Sequence, residues 1–422
     1  MFNKNFSILV IGQIISLFGS AIQRFCMSLY LLECTGSTAT FANILAFSNL
    51  PYILFAPIAG KLTDKVNRKK IMVWLDFCCS LVIGIYTVIL WSGQDKVWIV
   101  GTVMFLLSIG ATLYGPAVTA SIPQIVEEGS LTTANGIVNQ IGSLVNFLGP
   151  ILAGILYGLL GIQVIVAING ISFFISAIME LFLEIPDIEE ARQEENIQGV
   201  YETKVKRKKK VGQLIGHELK DMKENFRYLK SEKQVVLGII ASYAFCNIFL
   251  VPILSIIAPY FIKLYLGLPS QVYGIVEGVC VLGMILGGML ISMKPNLFTI
   301  QKVHRTYFPM LGGVLLLAII GFSRGNAYIL AGLFGAGGLA IMFSLALSNV
   351  LTLTFIQKEI PKELLGRVSA FSTAIATISV APGQLLYGQV IEKGIPIGVI
   401  LLVTAVINIG LIGFVKWNVR KI

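Results

Sequence analysis

The chain has 422 residues, of which 56% are hydrophobic and only 13% charged, and it carries a formal net charge of +10. This composition excludes a single water-soluble domain, because a soluble chain of this length needs more polar surface and divides into several domains. The charged residues are also bunched, which leaves apolar runs long enough to cross the hydrocarbon core of a membrane. We therefore expect an all-α integral membrane protein.

Apolar runs separated by polar connections predict twelve membrane-spanning helices. The first run begins near Phe6 and is too long for a signal peptide, so we expect it to be retained as a span. The predicted spans cover 7–32, 40–60, 71–92, 97–124, 132–158, 162–184, 235–263, 270–293, 304–323, 326–356, 364–391 and 395–416.

One long polar segment divides the predicted spans into six and six. We accordingly expect an N-terminal six-helix bundle over 1–184, a cytoplasmic linker over 185–234 and a C-terminal six-helix bundle over 235–422. The linker turns basic between Lys204 and Lys210, a pattern that attracts anionic lipids of the inner leaflet. Apolar residues then recur at intervals of three and four from Ile215 to Leu229, which predicts a helix lying on the inner membrane surface.

The distribution of lysine and arginine predicts the orientation. With both termini in the cytoplasm, 27 of the 32 basic residues fall on the inner side and four on the outer side. Inner loops carry the excess of positive charge in membrane proteins, so this arrangement is the expected one. The net charge thus reflects topology, and we do not interpret it as nucleic-acid binding.

Proline and polar residues recur in the two predicted bundles at a constant offset of 232 residues. Pro150 pairs with Pro382, and Asp64 pairs with Asn296, each just after an even-numbered span. Two parallel six-helix pseudo-repeats are one of the known transporter plans, in which the substrate site lies between the repeats near the membrane midplane.

The loop after the second predicted span carries a specific motif. Residues 60–70 read Gly-Lys-Leu-Thr-Asp-Lys-Val-Asn-Arg-Lys-Lys. A solvated basic loop would explain the lysines, but it would not explain Gly60, Leu62 and Asp64. The run resembles the signature loop of the major facilitator superfamily, with Arg68 at one of its charged positions and Asn67 in place of the usual glycine.

Three further features extend this resemblance. Gly149, Pro150 and Gly154 lie in a run that reads Gly-Pro-Ile-Leu-Ala-Gly, which is similar to the antiporter signature of facilitator-type drug exporters. Ordinary packing of small residues between helices is the alternative interpretation of this run. Together with Asp76 and the pair Gly366 and Arg367, the pattern resembles the bacterial macrolide-efflux branch of the superfamily.

The resemblance implies a multi-pass exporter of the cell membrane that moves a hydrophobic, drug-like small molecule by proton-coupled antiport, as in antibiotic resistance. A lipid or lysolipid flippase and a siderophore exporter are alternatives with the same fold. A polytopic membrane enzyme is disfavoured, since the sequence contains neither a His-Glu-x-x-His nor a Gly-x-Ser-x-Gly motif. We expect no cofactor, no metal and a monomer.

Charges within predicted spans are the candidate coupling residues, because a charge inside a membrane is costly unless it is paired or hydrated. The resemblance places Arg24 and Glu277 on helices that line the central cavity. We expect Glu277 to handle a proton or cation, with Arg24 as its partner or as an anion contact. A purely structural ion pair is the alternative. Among the uncharged polar residues of the spans, Asn146 and Gln140 are the candidates for the cavity lining.

Structural roles are expected for the remaining sites. Asp76 would pair with a basic residue of the signature loop, with a transport role as the alternative. Glu180 and Glu184, near a helix end, would snorkel or meet the basic loop. Asp64 would lie against the start of the eleventh span near Gly366 and Arg367. The fifth span would pack on the eighth, with Gly149 and Gly154 facing Gly283 and Gly287.

Overall fold

The computed structural model describes residues 4–185, 224–294 and 299–420, and these residues are helical apart from short connections. The basic run of the linker and most of the expected inner-surface helix lie outside the described residues. Only its last part is described, as a short helix over 224–232. There Leu229 is fully buried against Val236 and Ile239, whereas Phe226 is exposed.

Twelve α-helices account for most of the described chain. They are α1 (Lys4–Thr35), α2 (Thr38–Leu54), α3 (Ala56–Lys65), α4 (Arg68–Trp91), α5 (Val97–Ile125), α6 (Leu131–Leu181), α7 (Gln234–Phe249), α8 (Ser270–Met293), α9 (Phe308–Phe322), α10 (Ala327–Glu359), α11 (Lys362–Glu392) and α12 (Ile397–Val419). In the described residues, ten helical stretches are long and apolar enough to cross a membrane, which agrees with a multi-pass membrane protein.

Proline and glycine explain why these stretches differ from the predicted spans. The second predicted span is split at Phe55 into α2 and α3, because Pro57 in the first turn of α3 has no N–H to donate to the preceding turn. The fifth and sixth predicted spans form one long helix, α6, which is interrupted only by the left-handed backbone of Gly161. The seventh continues beyond α7 as two π-helical turns, Ile253–Ile257 and Tyr260–Tyr265, each preceded by a proline.

The chain divides into two compact units. Unit 1 comprises the described residues of 1–27, 48–149 and 160–219. Its helices approach closely where side chains are small. A Cβ on Gly110 of α5 would lie 2.6 Å from Cys79 Sγ of α4, and a Cβ on Gly12 of α1 would lie 3.6 Å from Ser176 Oγ of α6. An apolar core that includes Phe6, Leu9, Met72 and Leu183 fills one end of the unit.

Unit 2 comprises the described residues of 28–47, 150–159 and 220–422. Helices α8 and α10 pack backbone to backbone, since Gly283 meets the carbonyl of Leu339 and Gly287 meets that of Phe343. Helix α11 is tied to α7 by hydrogen bonds. Asn247 Nδ2 donates to the Ala376 carbonyl at 2.9 Å, and the Tyr387 hydroxyl donates to the Phe249 carbonyl at 2.8 Å.

Candidate functional site

A polar stripe runs along the first part of α6 in unit 1. Asn135, Asn139, Ser143 and Asn146 follow one another at intervals of four, four and three residues, and all four are exposed, as is Gln140 beside them. Residues at these spacings share one helix face. Exposed amides are poorly suited to lipid, where no water satisfies them, so this face is suited to a hydrated passage. The two residues that the sequence suggested for a cavity, Asn146 and Gln140, both belong to it.

The two charged residues expected to act together lie in different units. Arg24 is exposed on α1 in unit 1 and forms no ion pair with a described residue. Glu277 belongs to α8 in unit 2. The expected pairing of Arg24 with Glu277 stays a prediction.

Glu277 is held on the α8 face that meets α10. Its hydrogen-bonding neighbour is Tyr273, one turn earlier on the same helix, and its Oε2 is enclosed without a partner among the described residues. Cys280, one turn later, packs against Gly338 of α10. A carboxylate in such surroundings is costly to keep ionised, so the arrangement is suited to taking up a proton or a cation.

A group of buried polar residues, here called the acid cluster, lies inside unit 1 and consists of Gln13, Asp76, Tyr114, Ser176 and Glu180. The Tyr114 hydroxyl donates to Glu180 Oε1 at 2.5 Å and accepts from Gln13 Nε2 at 2.9 Å. The prediction that Glu180 snorkels is wrong, because its side chain is only 1% exposed. Contact with the basic linker stays a prediction, since that segment lies outside the described residues. Helical phase made Glu180 point into the bundle, which a position near a helix end does not reveal.

Asp76 is buried next to Ser176 and close to Glu180. Its expected partner was a basic residue of the signature loop. Arg68 forms no ion pair with a described residue, and the side chains of Lys61 and Lys65 lie outside the described part of the chain. The sequence missed the pairing of Asp76 with Glu180. The available signal was two acids in predicted spans with no basic residue in the same spans.

The residues expected to form a lock near the signature loop are less fully described. Gly60, Gly366 and Arg367 are exposed. The side chain of Asp64 lies outside the described residues, so its position against α11 stays a prediction.

The clasp is a group of contacts within unit 2 that joins 28–47 and 150–159 to the later helices. Glu33 is its centre: one carboxylate oxygen lies 2.8 Å from Lys263 Nζ, and the other accepts from the Tyr157 hydroxyl at 2.7 Å. Lys263 also donates to Ser270 Oγ at 3.0 Å. The Lys263 side chain is 14% exposed and that of Glu33 is 32% exposed, so water reaches this ion pair from the Glu33 side.

A second part of the clasp links the start of α2 to the end of α11. Thr38 Oγ1 donates to the Gly388 carbonyl at 3.0 Å and lies 3.1 Å from Glu392 Oε2. The backbone N–H of Ala39 also approaches that carboxylate, at 3.4 Å. Negative charge is favoured at the start of a helix, where N–H groups lack intrahelical partners.

Glycine brings the third part of the clasp together. A Cβ on Gly154 of α6 would lie 2.7 Å from the Ser270 carbonyl, and one on Gly274 of α8 would lie 2.5 Å from that of Pro150. The fifth predicted span therefore contacts the eighth through Gly154, as expected, but the glycine that it meets is Gly274. Gly283 and Gly287 face α10 instead, and Gly149 packs on Ala21.

Similar proteins are transporters. Macrolide efflux protein A of Streptococcus pyogenes is 27% identical over 386 residues, covering 89% of this chain and 86% of that protein. Its namesake in Enterococcus faecalis is 25% identical over 342 residues, covering 79% and 95%. Among solved structures, a bacterial homologue of the iron transporter ferroportin in an inward-facing state matches with a TM-score of 0.70 at 17% identity, over 98% of each chain. The nucleoside transporter NupG matches with a TM-score of 0.73 at 13% identity, over 99% of each chain.

The family model described as Major Facilitator Superfamily matches residues 9–384. This range contains the signature loop, the polar stripe, the acid cluster and Glu277. The multi-pass helical architecture and the transporter relatives agree with that match. The chain belongs to the Major Facilitator Superfamily and is a membrane transporter that resembles the macrolide-efflux branch.

Proposed function

We propose that the protein exports hydrophobic small molecules of the macrolide type from the cell. The observation that carries this proposal is its similarity to two macrolide efflux proteins, which extends over 89% and 79% of the chain. Similarity over this share of the chain is not confined to one short segment.

The proposed architecture has twelve spans in two six-helix repeats with both termini in the cytoplasm. Helices α2 and α3 would form one span together, and α6 would form two spans that meet at Gly161. The break at Phe55 lies within one predicted span, whereas the break at Gly161 lies between two predicted spans, which supports this assignment. The excess of basic residues on one side supports the orientation. Lys263, Glu33 and Glu392 would then lie towards the outside.

Export would proceed by alternating access, with the clasp as the outer gate. The clasp joins segments of the first repeat to helices of the second, so it must open for substrate to leave outward. Asp64, which the sequence predicts to lie near Gly366 and Arg367, would act as the corresponding inner lock, because a carboxylate stabilises a helix start. The polar stripe of α6 would line the passage that these gates expose.

Coupling would be to the proton gradient, with Glu277 as a protonation site. Its enclosed Oε2 and its neutral described neighbours, Tyr273 and Cys280, support this role. Arg24, when close, would favour the ionised form of Glu277, and its departure during the cycle would favour proton uptake. Substrate would be bound and released as that charge changes.

Transport in inverted membrane vesicles tests the function. We expect an imposed proton gradient to drive uptake of a macrolide, with Glu277→Gln reducing the rate by about ten-fold, since the variant cannot exchange its proton. A panel that also contains a lysolipid and a siderophore discriminates the related exporters. Uptake of either one, with no uptake of the macrolide, would contradict the proposed substrate class.

The clasp is tested by adding a side chain where two backbones meet. Gly154→Val should prevent the close approach to Gly274 and reduce export by about ten-fold, since one of the two conformations is lost. Gly410→Val is the matched control, because nothing described lies within 4 Å of a Cβ at Gly410. Equal export by both variants would exclude the clasp as a gate.

A further inference from the structure

The acid cluster contains two carboxyl groups and no described positive charge. Asp76 is 2% and Glu180 is 1% exposed, and their charges are close enough to interact. Burying one isolated carboxylate costs several kcal/mol, and a second one nearby adds repulsion. The ionised pair therefore needs a cation that the described side chains do not supply.

The hydrogen bonds in the cluster leave both acids incompletely satisfied. Tyr114 donates to Glu180 Oε1, whereas Glu180 Oε2 and Asp76 Oδ2 have no partner among the described residues. Ser176, which is fully buried one turn before Glu180, lies beside the Asp76 carboxyl. Its Oγ makes no well-formed hydrogen bond with a described residue either. Buried oxygens of this kind call for a hydrogen-bond donor.

The described side chains around the two acids are neutral. Helix α1 contributes the neutral Gln13, α4 contributes Asp76 and Cys79, α5 contributes Tyr114, and α6 contributes Ser176 and Glu180. The titratable groups that face the two acids are thus Tyr114 and Cys79, neither of which supplies a positive charge. Tyr114 also belongs to the apolar core of unit 1, with Phe6, Met72 and Leu183.

We propose that Asp76 and Glu180 form a proton-binding site inside unit 1, separate from Glu277, in which one of the two buried carboxyl groups holds a proton. A bound proton removes one charge and supplies the donor that the free oxygens lack. Proton release would leave two repelling carboxylates within the helices α4 and α6. The part that this site would take in coupling rests on the proposed export function, but proton binding itself does not.

Infrared difference spectroscopy of the purified full chain in lipid nanodiscs tests proton binding directly. All variants are made on a Glu277→Gln background, so that Glu277 contributes no signal. Near neutral pH we expect a carbonyl band of a protonated carboxylic acid that disappears in the double variant Asp76→Asn, Glu180→Gln. The control Ser348→Ala, in unit 2, should retain the band.

Three results would overturn the site: the absence of such a band, a band that survives in the double variant, or a band that sodium chloride removes while choline chloride does not. The last result would assign the site to Na⁺. Purely structural acids would give no such band if both are ionised and a band that does not respond to pH if both are permanently neutral, whereas a proton site gives a band that declines as pH rises.

Vesicle transport then tests coupling. Glu180→Gln alone should reduce gradient-driven export by about ten-fold, while exchange of labelled substrate without a gradient stays within about two-fold of the parent protein. Unchanged export would exclude the site from coupling. If the parent protein exports no macrolide while the infrared band is present, the proposed function fails and the proton site stands.

Discussion

The two units meet the same packing demand with different chemistry. In unit 1 the acid cluster places two carboxyl groups between α1, α4, α5 and α6. In unit 2 a neutral cluster joins α7, the 3₁₀ turn that leads into α9, and α10. Its members are Ser242, Cys246, Tyr307 and Ser348, all no more than 3% exposed. Ser348 Oγ donates to the Tyr307 hydroxyl at 3.0 Å, and Tyr307 lies beside Ser242 and Cys246.

The neutral cluster shows that buried polar contacts between these helices do not require an acid. Hydroxyl groups both donate and accept, so they satisfy one another without a net charge. A carboxylate only accepts, and burying it costs much more than burying a hydroxyl. Packing alone therefore gives no reason for Asp76 and Glu180, which is why a ligand is a better explanation for the acids of unit 1.

Moving an acid into the neutral cluster should have the largest effect. Ser348→Asp would place a carboxylate among neutral groups and should destabilise the fold by about 3–5 kcal/mol, the usual cost of an uncompensated buried charge. Ser348→Asn, whose new side chain has the same shape as aspartate, should destabilise the fold less because it adds no charge. The thermal midpoint in detergent measures both. If the two variants have equal midpoints, the neutral cluster tolerates charge and the comparison between the units fails.

Removing one tyrosine hydroxyl from each cluster should destabilise the acid cluster more than the neutral cluster. Tyr114→Phe leaves both Gln13 and Glu180 without their shared partner, so we expect a loss of about 1–3 kcal/mol. Tyr307→Phe removes the acceptor of Ser348 and a polar neighbour of Ser242 and Cys246. Ser242 already donates to the Ile239 carbonyl, and Ser348 can rotate towards its own helix backbone. The expected loss is about 1 kcal/mol. A larger effect at Tyr307 than at Tyr114 would mean that the neutral cluster carries more of the stability.

The sequence predicted the membrane helices well and their contacts poorly, for a physical reason. Apolar length alone identifies a span, because the bilayer fixes how many residues cross it. The neighbour of a given face is not encoded locally. Gly283 and Gly287 have the spacing of a helix-packing motif, but the structure turns them to α10, and the isolated Gly274 meets Gly154 instead.

The acid cluster could not be predicted from the sequence, because the neighbours of a helix face are not encoded locally. Asp76, Tyr114 and Glu180 are separated by 38 and 66 residues, and nothing in the sequence says that their helices adjoin. The acids themselves were visible as charges in predicted spans. Each was assigned to the nearest basic segment along the chain, whereas the fold brings the two acids to each other and to Tyr114.

An exposed ion pair gives the smallest predicted effect and completes the comparison. Lys233, just before α7, lies 2.9 Å from Glu359 at the end of α10, with side-chain exposures of 31% and 39%. Unit 2 thus places this ion pair where water reaches it. Because the pair is solvated, we expect it to stabilise the fold by only about 0.2–1 kcal/mol, as a double-mutant cycle of Lys233→Met and Glu359→Gln would measure.

The sign of its pH dependence follows from the same hydrogen bond. The bond to Glu359 raises the pKa of Lys233 above its ordinary value of 10.5. A group whose pKa is higher in the folded state stabilises that state fully below its unfolded pKa and loses this contribution as pH rises through the folded pKa. The coupling energy should therefore be constant around neutral pH and decline only above the ordinary lysine range. A coupling energy that changes near neutral pH would instead indicate that another titrating group contributes to the ion pair. The charges of this pair in unit 2 would then be less solvated than the comparison between the units requires.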